Sequence, residues 1–128
     1  MGTGHSPTFI ALVDAARARI VETTPEAVRE RLGTGGAFVL VDVRETAEWD
    51  RGHLPEAVHL GKGVLERDIE AAVPDLDTPL VLYCGGGYRS ALAADALQRM
   101  GYADVASMDG GWRAWTAAGY PVEGRPEE

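Results

Sequence analysis

The chain has 128 residues, of which 45% are hydrophobic and 25% charged, and its formal net charge is −8. This length and composition are typical of one globular domain with one hydrophobic core. An acidic chain is a poor general binder of nucleic acid, because phosphate groups require a basic surface. We therefore predict no nucleic-acid partner and attribute the charge to ordinary solubility.

The sequence also predicts that the protein binds neither a membrane nor a metal. No apolar run is long enough to span a bilayer, and the first six residues lack the basic and apolar regions of a signal peptide. We therefore expect a cytoplasmic protein. The histidines at positions 5, 53 and 59 make no metal-ligand spacing with the single cysteine, Cys84, so we predict neither a metal nor a cofactor.

An amphipathic helix is predicted at the N-terminus. Ser6 and Pro7 are the residue types that favour a helix N-cap and the first helical position, and apolar residues follow at helical spacing. We assign residues 1–20 to this helix, packed on a domain that covers residues 21–122. Residues 123–128 are expected to form a frayed tail.

Within the domain, apolar strands alternate with amphipathic helices. The runs 38–41 and 80–83 are continuous and apolar, which is typical of strands buried on both faces of a parallel sheet. Shorter strands are expected near residues 20–23, 57–60 and 105–108. Helices are expected near residues 24–32, ended by Gly33, then 46–51, 64–73 and 90–100, with a last helix that carries Trp112 and Trp115. The alternation predicts an α/β fold with a largely parallel sheet and helices on both faces.

The residues with chemical potential follow the second buried strand. Cys84 comes directly after it, and the next six residues are Gly85, Gly86, Gly87, Tyr88, Arg89 and Ser90. Ligands of open α/β sheets bind beyond the carboxyl ends of the strands. Backbone N–H groups of a glycine-rich loop and of a helix N-terminus favour an anion, and the thiolate is the reactive form of cysteine. The loop therefore predicts a nucleophilic Cys84, with Arg89 as the cation for an oxyanion.

Each of these features has an ordinary structural explanation. A lone buried cysteine is usually a small inert hydrophobe, glycines usually form turns, and an arginine is usually a solvated charge. The functional interpretation rests on their coincidence in six consecutive residues, Cys84 to Arg89, between a buried strand and a helix.

The loop from Cys84 to Ser90 resembles the active-site loop of single-domain rhodaneses. Two further segments resemble family signatures: Val41-Asp42-Val43-Arg44 with Glu48 and Gly52-His53-Leu54-Pro55 upstream, and Asp109-Gly110-Gly111-Trp112 downstream. The resemblance implies a rhodanese-like fold, with a five-stranded, mostly parallel sheet flanked by helices on both faces. It also implies a sulfurtransferase that moves sulfane sulfur from a donor such as thiosulfate or a persulfide to cyanide, a thiol or a protein thiol. The implied intermediate is a persulfide on Cys84, cradled by Gly85 to Arg89.

The sequence departs from the family pattern inside the loop. Gly86 stands where many relatives have serine, and the middle of the loop carries no charge. Recognition of an anionic donor is therefore expected from Arg89 alone, and a persulfide is favoured over thiosulfate as the donor. Asp42 is expected to form a structural ion pair with Arg44, while Arg44 could also point toward the site.

Three alternatives to a sulfurtransferase enzyme remain open from the sequence. A phosphatase or arsenate reductase resembling this chain would have five residues between cysteine and arginine, whereas four stand here. The shorter loop makes a tighter ring, better suited to one sulfur atom than to a phosphate. A binding module without turnover would not need Cys84 and its glycines. A carrier that relays a persulfide to a partner protein is indistinguishable from an enzyme at this level.

Overall fold

The computed structural model describes residues 4–124. Its elements are, in chain order, α1 (Pro7–Arg17), β1 (Val21–Thr23), α2 (Pro25–Thr34), β2 (Val39–Asp42), α3 (Thr46–Asp50), β3 (Val58–His59), α4 (Leu65–Ala72), β4 (Leu80–Tyr83), α5 (Tyr88–Arg99), β5 (Val105–Met108) and α6 (Gly111–Ala117). The strands form one sheet in the order β1-β5-β4-β2-β3, and the four strand pairings are all parallel. The predicted α/β fold is confirmed.

Helices cover both faces of this sheet. Helices α1 and α4 pack on α5 on one face, and α2 contacts α6 on the other. All four residues of β4 are buried, and they alternate between the two layers. Leu82 packs in the cluster that contains Leu97, whereas Val81 packs with Val28 and Trp115. Burial on both faces is the reason that this strand is apolar at every position.

The N-terminal helix is shorter than predicted, but it is firmly attached to the domain. Ser6 caps it, since the Ser6 hydroxyl accepts a hydrogen bond from the Phe9 N–H at 3.1 Å, and the helix ends at Arg17 rather than near residue 20. Beyond that end, Arg19 makes a bidentate pair with Asp95 of α5, at 3.0 and 2.8 Å. Residues 1–3 of the predicted helix lie outside the described residues.

Two other predicted boundaries differ from the structure. Helix α2 continues through Gly33, and Gly35 ends it with a left-handed φ of 71°, a conformation that glycine adopts without strain. The predicted frayed tail begins too early, because Glu123 exchanges two backbone hydrogen bonds of 2.9 Å with His53. Residues 125–128 of that tail lie outside the described residues.

A buried polar network joins the carboxyl ends of two neighbouring strands. Asp42 ends β2 and lies in register with Tyr83, which ends β4. The Asp42 carboxylate accepts hydrogen bonds from Arg44 Nη2 at 2.8 Å and from the Tyr83 hydroxyl at 2.6 Å. Both side chains of the Asp42–Arg44 ion pair are almost fully buried. Arg44 also donates to the Gly52 carbonyl at 2.7 Å, so the network attaches the following loop to the sheet.

We predict that Asp42→Asn strongly destabilises the fold. The substitution keeps the shape of the side chain but leaves the Arg44 guanidinium buried without its counter-ion, which typically costs about 3–5 kcal/mol. Urea unfolding measures the change in the free energy of unfolding. The matched control is Asp68→Asn, which breaks the exposed pair with Arg67 and should leave stability unchanged within error. Equal effects of the two substitutions would contradict the interpretation.

Candidate functional site

The single thiol lies at the carboxyl edge of the sheet, directly after β4. Cys84 is 1% exposed, and its Sγ accepts hydrogen bonds from the N–H groups of Gly87 at 3.2 Å and Ser90 at 3.4 Å. The thiol donates to Ser90 Oγ at 3.6 Å, and after ionisation the Ser90 hydroxyl can donate in the opposite direction. Ser90 Oγ is held in turn by the Ser107 hydroxyl at 2.8 Å.

This environment favours the thiolate. Burial raises the pKa of the Cys84 thiol, but hydrogen bonds from the Ser90 hydroxyl and N–H and from the Gly87 and Gly86 N–H groups oppose it. The net result is a pKa below the ordinary value of cysteine, because several donors act together on the anion. These contacts favour the ionised form, which is the reactive form of a cysteine.

The shape of the loop depends on close contact between two glycine-bearing turns. Gly87 begins α5 with a φ of 95°, and a Cβ at this residue would lie 3.2 Å from the Gly110 nitrogen. Gly111 has a φ of 52°, and a Cβ there would overlap the Cys84 carbonyl oxygen. Side chains at these positions would therefore separate the turns. Of the three loop glycines, Gly87 alone has a positive φ, so the other two provide space rather than unusual dihedral angles.

The start of α6 supports the loop from behind. The Trp112 N–H donates to the Cys84 carbonyl at 2.8 Å, and the Arg113 N–H donates to the Gly85 carbonyl at 3.0 Å. These bonds occupy the loop carbonyls, which leaves the loop N–H groups directed toward the sulfur. The downstream signature thus has a structural role that sequence reasoning did not assign to it.

Arg89 is not a free cation. Its Nη1 and Nη2 donate to the two carboxylate oxygens of Glu48 at 2.7 and 3.0 Å, and each side chain keeps about a third of its surface exposed. The hydrogen bonds from Arg89 lower the pKa of Glu48 to about 2, so the pair persists throughout the range in which a thiol titrates. Glu48 raises the pKa of Arg89, and the Cys84 thiolate raises it further.

Glu48 belongs to the upstream signature, but the sequence did not predict which residue it contacts. Its position follows from the start of α3, where the Glu45 N–H donates to Glu48 Oε1 at 3.0 Å in a capping box. The sequence carries only half of the usual signal for that box, because Glu48 stands at the expected spacing but Glu45 is not one of the usual N-cap residue types. The pairing with Arg89 could not be read from the sequence, because it joins elements 41 residues apart.

An open cavity of about 300 Å³ lies above the thiol. Its lining comprises His5, Phe9, Cys84, Gly86, Tyr88, Arg89 and Arg113. Sequence reasoning did not predict Arg113, His5 or Phe9 in the site. The Arg113 Nη1 atom lies 3.4 Å from the place where a Gly86 Cβ would be, and within residues 4–124 this guanidinium makes no ion pair. A second cation therefore lines the cavity together with Arg89, whereas the sequence predicted Arg89 alone.

Asp42 and Arg44 do not line this cavity. The Arg44 guanidinium lies 4.6 Å from the centroid of the Trp112 ring and is held by Asp42. The backbone N–H of Trp112 is the group that donates to the Cys84 carbonyl. The pair is therefore placed to support the loop from below rather than to contact a substrate.

The described part of the chain contains no group of three or more His, Cys, Asp or Glu side chains that could hold a metal ion. Within the same residues, no helix combines the length and the apolar character needed to cross a bilayer.

The chain combines a parallel sheet with a cysteine loop at the carboxyl edge of that sheet. This arrangement defines a class of α/β domains in which a ring of N–H groups holds a thiol. The family model of the rhodanese-like domain matches residues 24–118. The chain therefore belongs to the rhodanese-like domain family, as its sequence signatures predict. Helix α1 lies outside the matched range.

Three relatives illustrate the range of similarity. The thiosulfate sulfurtransferase GlpE of Pseudomonas savastanoi is 42% identical over 82% of this chain and 92% of its own length. The probable adenylyltransferase/sulfurtransferase MoeZ of Mycobacterium tuberculosis is 37% identical over 80% of this chain, which spans only 26% of the longer relative. These relatives bear out the sulfurtransferase class that the sequence predicts. A Rhodopseudomonas palustris protein of unknown function, described as a possible tyrosine phosphatase, has a TM-score of 0.83 and 32% identity, covering 96% of this chain and 99% of its own.

We predict that alkylation of Cys84 by iodoacetamide reaches half of its maximal rate below pH 8.5, the approximate pKa of a free thiol. In Ser90→Ala the midpoint should move to higher pH, because the thiolate loses the hydroxyl donor. Mass spectrometry follows the reaction without interference, since Cys84 is the only cysteine.

The control for this titration is the same protein unfolded in urea, whose midpoint should match that of a free thiol. A midpoint in the folded wild type at or above that of the unfolded chain would show that burial outweighs the hydrogen bonds.

Proposed function

We propose that this chain is a sulfurtransferase that moves sulfane sulfur from thiosulfate or a persulfide to a thiophilic acceptor through a persulfide on Cys84. One observation carries the proposal. The Sγ of Cys84 accepts hydrogen bonds from two loop N–H groups, and it lies at the base of an open cavity that two arginines line. The names of the GlpE and MoeZ relatives support the same chemistry.

In the proposed loading step, the Cys84 thiolate attacks the outer sulfur of thiosulfate. The S–S bond of the donor breaks, its electron pair leaves with sulfite, and Cys84 carries the new persulfide anion. The same N–H groups that favour the thiolate favour this anion. The step itself transfers no proton, because the attacking group is the thiolate.

In the discharge step, cyanide or a thiolate attacks the outer sulfur of the persulfide. The bond between the two sulfur atoms breaks, and its electron pair returns to Cys84 as the thiolate. Thiocyanate or a new persulfide is the product. The acceptor is a small thiol or a thiol of a partner protein, and we propose the reducing cytoplasm, where such thiols are kept reduced, as the compartment.

The loop residues have distinct proposed roles. Gly86, Gly87 and Ser90 hold the sulfur through their N–H groups, and Gly85 fits its carbonyl against α6. Tyr88 forms part of the cavity wall. Arg89 contributes an N–H donor and a charge that Glu48 partly offsets. Arg113 supplies a second positive charge in the cavity, and Asp42 and Arg44 are positioning residues.

Phosphatase activity is the second candidate, because the R. palustris neighbour is described as a possible tyrosine phosphatase. The loop argues against it here. Four residues separate Cys84 from Arg89, one fewer than in the phosphatase pattern, and the tighter ring suits a single sulfur atom better than a tetrahedral phosphate. Assay with p-nitrophenyl phosphate distinguishes the two candidates. A sulfurtransferase should not hydrolyse this phosphate ester in a reaction that depends on Cys84, whereas a phosphatase should.

We predict that incubation with thiosulfate or with a thiol persulfide adds one sulfur atom to the intact mass and that cyanide removes it. Cys84→Ala should show neither change, because the chain has no other cysteine. Thiocyanate formation measures the completed cycle. Turnover that survives in Cys84→Ala would overturn the mechanism.

We predict that Arg89→Ala and Arg113→Ala each lower kcat/KM for thiosulfate. A hydrogen bond to a charged group is worth about 1.5–3 kcal/mol, which corresponds to roughly ten- to hundredfold. Arg113 is exposed, so its effect should lie near the lower limit. Arg89→Lys should recover part of the loss, because lysine keeps the charge but not the planar fork.

Arg99→Ala is the matched control for these variants. It changes the net charge by the same amount and lies on α5, the helix of Arg89, where Arg99 pairs with Asp95 and does not line the cavity. If both site variants behave like Arg99→Ala, the loop N–H groups alone bind the donor.

A further inference from the structure

We infer that the N-terminal segment, residues 5–17, builds a subsite for the organic group of the sulfur donor, and that the subsite favours donors with an aromatic group, such as an aryl thiosulfonate. The inference rests on the proposed function, because it concerns the donor of the same Cys84 reaction.

Three rings form one wall of the cavity above Cys84. The His5 ring lies 5.0 Å from the Phe9 ring and 4.7 Å from the Tyr88 ring, between centroids. The Phe9 and Tyr88 rings are nearly parallel, with an interplanar angle of 18° and a centroid distance of 6.1 Å. All three line the cavity, and none is fully buried. The wall therefore offers aromatic surface to whatever occupies the cavity.

Helix α1 holds this wall in place. The Arg17 guanidinium lies 5.0 Å from the centroid of the Tyr88 ring, within the range of a cation–π contact. Arg17 Nη2 also reaches the Gly87 carbonyl at 3.5 Å. Buried Val13 and Ala16 lie on the same helix, which packs against α5. The wall is thus attached to the helix that begins at the loop.

Two of the three rings of the wall precede the range that the family model matches. The rhodanese-like match begins at residue 24, so His5, Phe9 and Arg17 precede it. A thiosulfate ion has five heavy atoms and no apolar surface. A cavity of about 300 Å³ is at the lower limit of sites that hold small organic ligands, and an aromatic wall gains nothing from an inorganic ion.

The cavity also contains positive charge. Arg113 and Arg89 line it, and the negative charge of Glu48 offsets Arg89, so the remaining positive charge is centred on Arg113. A suitable ligand combines an aromatic ring with an adjacent anion and a transferable sulfur. An aryl thiosulfonate has this arrangement, since its sulfonyl oxygens and terminal sulfur share the negative charge next to the ring.

The reaction with this donor is balanced without a further reactant. The Cys84 thiolate attacks the terminal sulfur of the thiosulfonate, and the S–S bond of the donor breaks. The electron pair leaves with the aryl sulfinate, and Cys84 keeps the sulfur as its persulfide anion. Cyanide then discharges the persulfide and yields thiocyanate.

The experiment compares benzenethiosulfonate with methanethiosulfonate in the full-length chain, with cyanide as the acceptor. The measured quantity is the ratio of the two kcat/KM values in wild type, Phe9→Ala and His5→Ala. Because both donors leave as sulfinates, the change in the ratio on substitution cancels the difference in their intrinsic reactivity. We expect the ratio to fall about two- to tenfold in Phe9→Ala and by less in His5→Ala.

Leu12→Ala is the control, since Leu12 lies on α1 but is 57% exposed and does not line the cavity. Its ratio should equal that of the wild type. Circular dichroism verifies folding, and His5→Ala tests the wall through an exposed side chain if Phe9→Ala unfolds. An unchanged ratio in the folded wall variants overturns this inference while leaving the Cys84 mechanism intact. Failure of both donors to form a Cys84 persulfide would overturn the proposed function as well.

Discussion

The site depends on one close contact, in which the backbone of the Cys84 loop lies directly against the turn at Gly110 and Gly111. That contact leaves no space for side chains at Gly87 or Gly111, and it allows the start of α6 to bind the loop carbonyls. With the carbonyls occupied, the N–H groups point toward the sulfur and the thiolate is favoured. The buried Asp42–Arg44 pair reaches this turn through Trp112, the residue after Gly111, because the Arg44 guanidinium lies against the Trp112 ring.

The positive charge at the site comes from two arginines whose surroundings differ. The chain is acidic overall, and the cation nearest the thiol already shares its charge with Glu48. A local negative partner keeps Arg89 in a fixed orientation at a cost in net positive charge. Arg113, which lines the same cavity, has no carboxylate partner within the described residues. The site therefore combines one oriented arginine with one exposed arginine.

Much of the fold could be predicted from local patterns. The continuous apolar run 80–83 predicted a strand buried on both faces, and β4 occupies the same residues. Ser6 predicted the start of α1 through its cap. The boundary at Gly33 was wrong because the first of several glycines need not end a helix, and the left-handed position fell at Gly35. The Glu123 pairing with His53 was missed because a single long-range bridge leaves no periodicity.

The sequence by itself determined the family, the position of Cys84 after a buried strand, and the glycine loop that follows, because these are properties of contiguous residues. Tertiary structure alone decided which distant side chains meet the loop. Glu48 reached Arg89 from α3, Arg113 came from α6, and His5 and Phe9 came from the N-terminal segment, which precedes the range that the family model matches. Such contacts depend on how helices pack across the sheet, and that packing is set by the whole core rather than by any local pattern.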